Sequence, residues 1–312
     1  MRFVVEKQDN GKLLRDYLRE QGVSATLLSR LKRIENGITL NQTHVTVRAL
    51  LKAGDVVEIA VEEREAPPHV MPRELPVSVI FETDDLLVVN KPAFMPTHPS
   101  LGHFEDTLAN GLAYRYAANG VSFRPRFVNR LDRNTTGAVL VARHALAAAM
   151  LSAQMASGEI KKTYLALVSG CVRHPMTIEK NIKRRAESII IREVCSNEEG
   201  DYAKTVVEPL VTSDAFSLVR LLPETGRTHQ LRVHLASVGH PMLGDELYGV
   251  EDAVMKRHAL HAATLRFYLP RTCEEITVKA PLPADMRERI IELGEEAIAL
   301  AQEECGEANQ KL

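Results

Sequence analysis

Cysteine is scarce in this 312-residue chain, and Cys171, Cys195, Cys273 and Cys305 form no short pair. That spacing excludes a zinc knuckle or a disulfide framework, fits a reducing compartment, and leaves all four as plain core or surface thiols. No uninterrupted apolar stretch approaches bilayer length, so no membrane partner is expected. The stretch from Met1 to Lys12 has a basic residue but neither the apolar core nor the small-residue cleavage site of a secretory signal, so a cytoplasmic location is expected. There is no G-x-G-x-x-G for a dinucleotide and no H-E-x-x-H for a metal, and repeats and low-complexity tracts are missing too. Neither a Gly-rich phosphate loop nor that metal-binding spacing is seen. The chain also lacks a positive balance, with a net charge of −2. The stretch from Ala284 to Leu312 holds eight acidic residues against three basic ones, a balance of −5, which leaves +3 for the rest. A mildly positive body with an acidic tail neither requires nor forbids a polyanionic partner.

Hydrophobic residues make up 45% and charged residues 26% of the chain, ordinary values for a globular protein with room for two domains. The first unit runs to about Glu65. A strand over Arg2 to Glu6 and a turn at Asp9-Asn10-Gly11 lead to an amphipathic helix from Lys12 to Gln21, with Leu13, Leu14, Tyr17 and Leu18 on one face. Ser24 is placed to cap a second helix reaching Asn36, with Leu27, Leu28, Leu31 and Ile34 inward. Short strands follow at Ile38 to Asn41 and Val56 to Ile59. The polar faces of the two helices carry Lys12, Arg15, Arg19, Arg30, Lys32 and Arg33 against Asp16, Glu20 and Glu35. A basic face of this kind suits a phosphate backbone, although many such runs are only solvated helix surface.

Pro67, Pro68, Pro72 and Pro76 make residues Ala66 to Pro76 an extended linker, since proline at that density continues neither a helix nor a central strand. A second domain is expected from Val77 to about Pro283, followed by an acidic, helical C-terminal segment from Ala284 to Leu312 that docks on the body. Its strand candidates are Val77 to Glu82, Leu86 to Asn90, Ala138 to Ala142, Thr163 to Val168, Thr205 to Leu210, Ser217 to Leu222 and Glu275 to Lys279. Helices are expected at Thr107 to Ala117, Ala145 to Ser157 and Thr228 to Ser237, then from Asp285 to Glu304. Strands arrive in groups rather than alternating with helices, which predicts an α+β fold on a mixed, largely antiparallel sheet.

Three runs carry chemistry. In Asn129 to Gly137, Asp132 sits between Arg130 and Arg133 on a polar loop that enters an apolar strand. Flanking guanidinium groups favour an ionised carboxylate, as a nucleophile or base requires, yet Arg-x-Asp by itself is more often a surface ion pair. In Glu224 to Leu235, Gly226 permits a tight turn and Thr228 is a fair N-cap, which would hold Arg227 at a helix head, ready to clamp a phosphate or pair with a carboxylate. His229 and His234 lie five apart and so do not share a face, which argues against metal ligation. In Lys161 to Val168, Tyr164 is the lone aromatic of a strand, either packed in the sheet or stacked on a displaced base.

In this order the runs resemble the RluA-type family of RNA pseudouridine synthases. Arg130 to Gly137 matches Arg-Leu-Asp-x-x-Thr-Ser-Gly, Lys162, Tyr164 and Ala166 match Lys-x-Tyr-x-Ala, and Gly226 to His234 meets Gly-Arg-Thr-His-Gln-Leu-Arg-x-His in full. Asn90 to Ala93, His98-Pro99, Gly239 to Pro241 with Gly244-Asp245, Leu247 to Gly249 and Leu260 to Ala262 extend the likeness over residues 77 to 283. Asn129, Thr136 and Phe94 depart from it, standing where His, Ser and Gly are usual. Residues 11 to 64 separately resemble the small alpha-L RNA-binding domain.

The resemblance implies that uridine is detached from its N-glycosidic bond, turned, and rejoined through carbon 5, an isomerisation without a cofactor. It implies Asp132 as the essential carboxylate, acting on the sugar as nucleophile or base. Tyr164 would stack on the flipped uracil and help take the proton from carbon 5, and Arg227 would orient Asp132 or bind a phosphate. Arg130 would fill the space left by the extruded nucleotide. Lys12, Arg15, Arg30, Lys32 and Arg33 would grip RNA without doing chemistry. A monomer acting on large-subunit ribosomal RNA is the expectation, with transfer RNA as the alternative substrate. A non-catalytic RNA-binding assembly factor and a carboxylate hydrolase of nucleosides or sugars are the rival classes, and the second would need another carboxylate as acid.

Overall fold

The computed structural model describes residues 1–61, 70–121, 123–196 and 199–307. At the N-terminus, Thr43–His44, Ile38–Leu40, Val56–Ile59 and Arg2–Val4 pair in that order as a four-stranded antiparallel sheet. Helices Leu14–Glu20 and Ala25–Leu31 cover it. The Ser24 hydroxyl accepts the Leu27 N–H at 3.2 Å, so the second helix starts where the sequence places its cap. Both helices are shorter than expected. Leu13 stays outside the first as its N-cap, and the second ends at Leu31, which leaves Ile34 exposed rather than inward. Leu14, Tyr17, Leu18, Leu27, Leu28 and Leu31 form the core, and Leu146 joins it from the helix Ala145–Ser157. That helix is therefore a wall shared with the rest of the molecule.

Residues 66–69 of the expected linker, and the boundary near Glu65, lie outside the described residues. From Val70 to Pro76 the chain has no regular structure, as its prolines dictate, yet it is tied down along the helix Leu108–Ala117. Asn110 donates its amide to the Met71 carbonyl at 2.8 Å, and the Arg73 N–H reaches the Asn110 carbonyl at 3.2 Å.

The large sheet has ten strands. Eight run in the order Met176–Glu179, Lys204–Thr212, Phe216–Pro223, Lys161–Ser169, Leu260–Tyr268, Thr136–Ala142, Leu86–Lys91 and Ser78–Glu82. Glu275–Lys279 adds to Leu260–Tyr268, and Arg126–Phe127 to Thr136–Ala142. Every pairing is antiparallel except that of Leu260–Tyr268 with Thr136–Ala142, so the mixed, largely antiparallel α+β fold is found as expected. The central strand Leu260–Tyr268 is not among the expected ones. It is buried on both faces along most of its length and shows no polar alternation to read. Strands Asn181–Arg184 and Arg192–Cys195, also unforeseen, form a separate hairpin.

The one parallel junction places the loop that carries Asp132. Thr136 and Gly137 pair with His261 and Ala262, and Gly137 has φ +112°. A Cβ built there would lie 2.2 Å from the Ala262 carbonyl oxygen, so only glycine lets the two strands close. Gly137→Ala should cost about 3 kcal/mol or more, combining backbone strain with overpacking. Urea unfolding would show this as a lowered midpoint, and a wild-type midpoint would mean that the strands separate at little cost.

The expected C-terminal helix is two helices, Ala284–Ile290 and Glu295–Glu304, broken at Gly294 with φ +99°. The fully buried residues of the second are the small Ala297 and Ala301, and Ile291 is exposed. Residues 308–312 lie outside the described residues.

Candidate active site

Asp132, Tyr164, Arg130 and Arg227, although 97 residues apart at the extremes of that set, line one cleft of about 810 Å³. Arg133, Lys162 and Arg232 share its walls with His229, and arginine and lysine side chains outnumber carboxylates around it. This is the local charge that the net balance hides, and it suits a polyanionic strand.

The Asp132 loop is pinned through its backbone. Thr97 donates its hydroxyl to the Leu131 carbonyl at 3.1 Å, and the Thr135 N–H donates to the Asp132 carbonyl at 3.1 Å. Lys91, fully buried, donates Nζ to the carbonyls of Pro92, Met95 and Arg133 at 2.7, 2.8 and 2.9 Å. Burial, with the Arg257 charge adding to it, pushes the Lys91 pKa down to about 7. Behind the loop, His258 Nε2 meets the Thr135 hydroxyl at 2.7 Å and His261 Nδ1 the Thr136 hydroxyl at 2.9 Å. Burial drives these imidazoles down to about 3 and about 4, so both are neutral. The hydroxyl that Thr136 retains in place of serine is thus in use. Asn129, which stands where His is usual, lines the cleft but spends its amide on the protein. Its side chain is buried, donating to the Ala138 carbonyl at 3.2 Å and accepting the Leu140 N–H at 2.7 Å.

The guanidinium that reaches Asp132 belongs to Arg232, not to Arg227. Arg232 Nη1 donates to Asp132 Oδ2 at 3.3 Å, while its Nε and Nη2 hold Asp245 in a bidentate pair at 2.7 and 2.6 Å. Asp132 retains 28% side-chain exposure against 6% for Arg232 and none for Asp245, so the carboxylate faces the cleft and its support is dry. His229 Nε2 lies 3.9 Å from Asp132 Oδ2. Its Nδ1 meets the Tyr248 hydroxyl at 2.9 Å, and the Tyr248 ring lies under Arg232 with 5.0 Å to its centroid. Arg227 turns away and donates Nε to the Tyr202 carbonyl at 3.0 Å.

The reason lies at the helix start. His229 adopts a left-handed conformation, φ 57°, which no helix passes through, so the helix is Gln230–Ala236 and Thr228 is not its cap. Gln230 organises the turn instead, accepting from the Arg227 N–H at 3.0 Å and the Thr225 hydroxyl at 2.7 Å. The shift turns Arg232 inward and Arg227 outward. His234 uses both ring nitrogens internally, on the Thr205 hydroxyl and the Lys180 carbonyl, each at 3.0 Å.

Tyr164 is buried at the cleft wall, in register with Leu221 and Ala262 on its neighbouring strands. Burial, and then the Asp132 charge, push its phenol upward, so it stays neutral at physiological pH. A neutral phenol offers a stacking face and a donor. Arg130 is exposed at the rim.

The expected N-terminal cationic face is narrower in the structure. Lys12 pairs with Asp9 at 2.8 Å and with Glu20 at 2.5 Å, and Arg15 pairs with Asp16 at 2.8 Å. Arg30 is half-buried, and Lys32 and Arg33 are exposed. Exposed pairs like that of Arg15 are weak enough to exchange for phosphate.

The model of a family described as RNA pseudouridylate synthase matches residues 85–237. An uncharacterized RNA pseudouridine synthase of Bacillus subtilis (strain 168), YjbO, is 36% identical over 278 residues, covering 89% of this chain and 98% of the relative. The ribosomal large subunit pseudouridine synthase D of Zymomonas mobilis is 34% identical over 288 residues, 84% of this chain and 90% of that protein. Among solved structures, human RNA pseudouridylate synthase domain containing 1 superposes with a TM-score of 0.56 at 32% identity, over 67% of this chain and 84% of that one. On the fold, the loop–strand–helix constellation around Asp132 and these similarities, the chain belongs to the RluA-type RNA pseudouridine synthases, isomerases that convert uridine in RNA to pseudouridine.

Proposed function

We propose that the substrate is large-subunit ribosomal RNA, and that Asp132, supported by Arg232, is the carboxylate that performs the isomerisation. The observation that carries the second part is the half-open carboxylate at the wall of a cationic cleft, held by a guanidinium whose other two donors are locked on a buried acid. Such an arrangement fixes the carboxylate in position at little reorganisation cost when a substrate arrives. The C1′–N1 bond of uridine breaks, the base turns, C1′ bonds to carbon 5, and the carbon-5 proton is released as N1 gains one. Asp132 acts on the sugar as nucleophile or base, and Tyr164 stacks on the turned uracil. Arg130, exposed at the rim, fills the gap left by the flipped nucleotide at a cost of roughly a few kcal/mol of unstacking.

Arg227, facing solvent, is read as a phosphate contact rather than as the partner of Asp132. The N-terminal unit, an alpha-L RNA-binding domain on its two helices and small sheet, adds phosphate affinity through Arg30, Lys32 and Arg33, with Lys12 and Arg15 joining once their local pairs open. The protein acts as a cytoplasmic monomer. The choice of ribosomal RNA rests on relatives bearing the name ribosomal large subunit pseudouridine synthase D. Mapping pseudouridines in total RNA from a strain lacking the gene tests it. Loss of sites in large-subunit ribosomal RNA, restored by the wild-type gene, is the expected result, and loss confined to transfer RNA overturns it.

A further inference from the structure

Among the described residues Arg257 is the largest side chain with almost no exposure, and no step of the isomerisation uses it. It lies beyond the stretch that the family model matches, as does the acid that pairs with it. Its Nε and Nη2 take both oxygens of Asp285 at 2.7 and 2.9 Å. The same guanidinium donates Nη1 to the carbonyls of Asn134, His258 and Leu260 at 3.2, 3.1 and 3.0 Å, and Nη2 to the Thr136 hydroxyl at 3.4 Å. Asn134 and Thr136 bracket Thr135, whose N–H holds the Asp132 carbonyl. One planar group thus joins the C-terminal helix Ala284–Ile290 to the exit of the Asp132 loop.

We propose that Asp285 is a positioning residue for the catalytic loop, acting through Arg257. The proposal rests on Asp132 being the catalytic carboxylate. The physical case is directional. A guanidinium presents its donors in a rigid plane, and a bidentate carboxylate fixes the orientation of that plane. With Asp285 in place, the remaining edge points at Asn134 and Thr136. Without it, a buried cation loses its counter-charge and turns toward whatever acceptor or water it can reach, so the loop loses the hold on its exit. Lys91 still grips the Arg133 carbonyl from the other side, and no hydrogen-bond partner of Arg257 lies on strand Lys161–Ser169. The outcome is a folded enzyme with a loosened Asp132. The C-terminal segment, which from its composition is an acidic appendage, becomes part of the catalytic apparatus. Asp285 is itself 36% exposed on its side chain, so its removal opens no large cavity.

The test compares Asp285→Asn, Asp285→Glu and Arg257→Lys with the full wild-type chain, using tritium release from RNA labelled at carbon 5 of uridine and amide hydrogen exchange. Displacement of a reacting group by about 1 Å costs up to roughly 100-fold, so Asp285→Asn should lower kcat between about tenfold and that limit. KM for RNA should stay within about twofold, because the cleft cations are not moved. Exchange at the Thr135 amide should accelerate while amides of Lys161–Ser169 keep wild-type rates. Asp285→Glu should recover part of kcat, and Arg257→Lys, which cannot hold both ends, should resemble Asp285→Asn. Wild-type kcat in Asp285→Asn, a change in KM alone, or faster exchange spread evenly over the sheet overturns the proposal. If Asp285→Asn does not fold, exchange at Thr135 in Asp285→Glu decides by the same criterion. Exchange needs no turnover, so inactivity of the wild-type chain would count against the role of Asp132 and leave the link between Asp285 and the loop to be judged by itself.

Discussion

Asp132→Asn is expected to abolish pseudouridine formation while leaving the protein folded and still bound to RNA. The substitution preserves size and leaves an amide oxygen able to accept from Arg232, so the 3.3 Å contact survives. Arg232 also remains locked on Asp245, so no buried charge is stranded. What disappears is the group that acts on the sugar, and single-turnover rates should fall by at least ~1000-fold. RNA affinity should hold or rise, because one negative charge leaves a cleft lined by Arg130, Arg133, Lys162 and Arg227. Tritium release and filter binding, measured on the same preparation, separate the two effects. Retention of more than about 1% of wild-type release would remove Asp132 from the chemistry. A wild type that binds without releasing tritium would favour an RNA-binding assembly factor, and free uracil would indicate a hydrolase.

The parts of the fold and of the site that were legible in the sequence are those whose roles follow from local grammar. Ser24 before an apolar run, helix Ala145–Ser157 and strand Glu275–Lys279 lie where periodicity and turn residues put them. Asp132 and Tyr164 stand out by charge or ring in stretches that carry little else of the kind, and the structure brings them to one cleft. Arg232 was hidden in plain view. Two arginines five residues apart in one motif compete for the same role, and only the left-handed backbone at His229 decides which faces Asp132. A histidine in that conformation leaves no signature that composition can show. The role of Lys91, although it lies in the matched run Asn90 to Ala93, and that of Arg257 were invisible for another reason. A buried cation that serves backbone carbonyls is recognisable only when those carbonyls, on segments far apart in sequence, are seen to converge. The strand Leu260–Tyr268 shows the same limit for the fold, since burial on both faces erases the period that sequence reading depends on.

Arg232→Met should produce the second-largest effect, and its pH dependence identifies the cause. Methionine fills much of the same space, so packing changes little, but Asp245 is left as a fully buried acid without its cation. Removing one partner of such a pair costs about 3–5 kcal/mol near neutrality. In the wild type, burial opposes ionisation of Asp245, yet the Arg232 pair outweighs it and holds the carboxyl below its ordinary value. That contribution is present above the unfolded value of about 3.9 and is lost only as pH falls through the depressed folded one. In the variant only the Leu247 and Tyr248 N–H donors, at 3.0 and 3.2 Å, still favour the ionised form, and burial, the largest influence on this carboxyl, should outweigh them and reverse the sign. The folded state then favours the protonated acid, and stability is lost as pH rises above the unfolded value. The difference in unfolding free energy between the two proteins should therefore be larger at pH 8 than at pH 5, measured by urea titration at each. Activity should fall roughly 100-fold even where the variant is folded, because Asp132 loses the donor that orients it. A stability gap independent of pH would assign the cost to packing alone, and full activity at pH 5 would show that Asp132 needs no guanidinium to hold it.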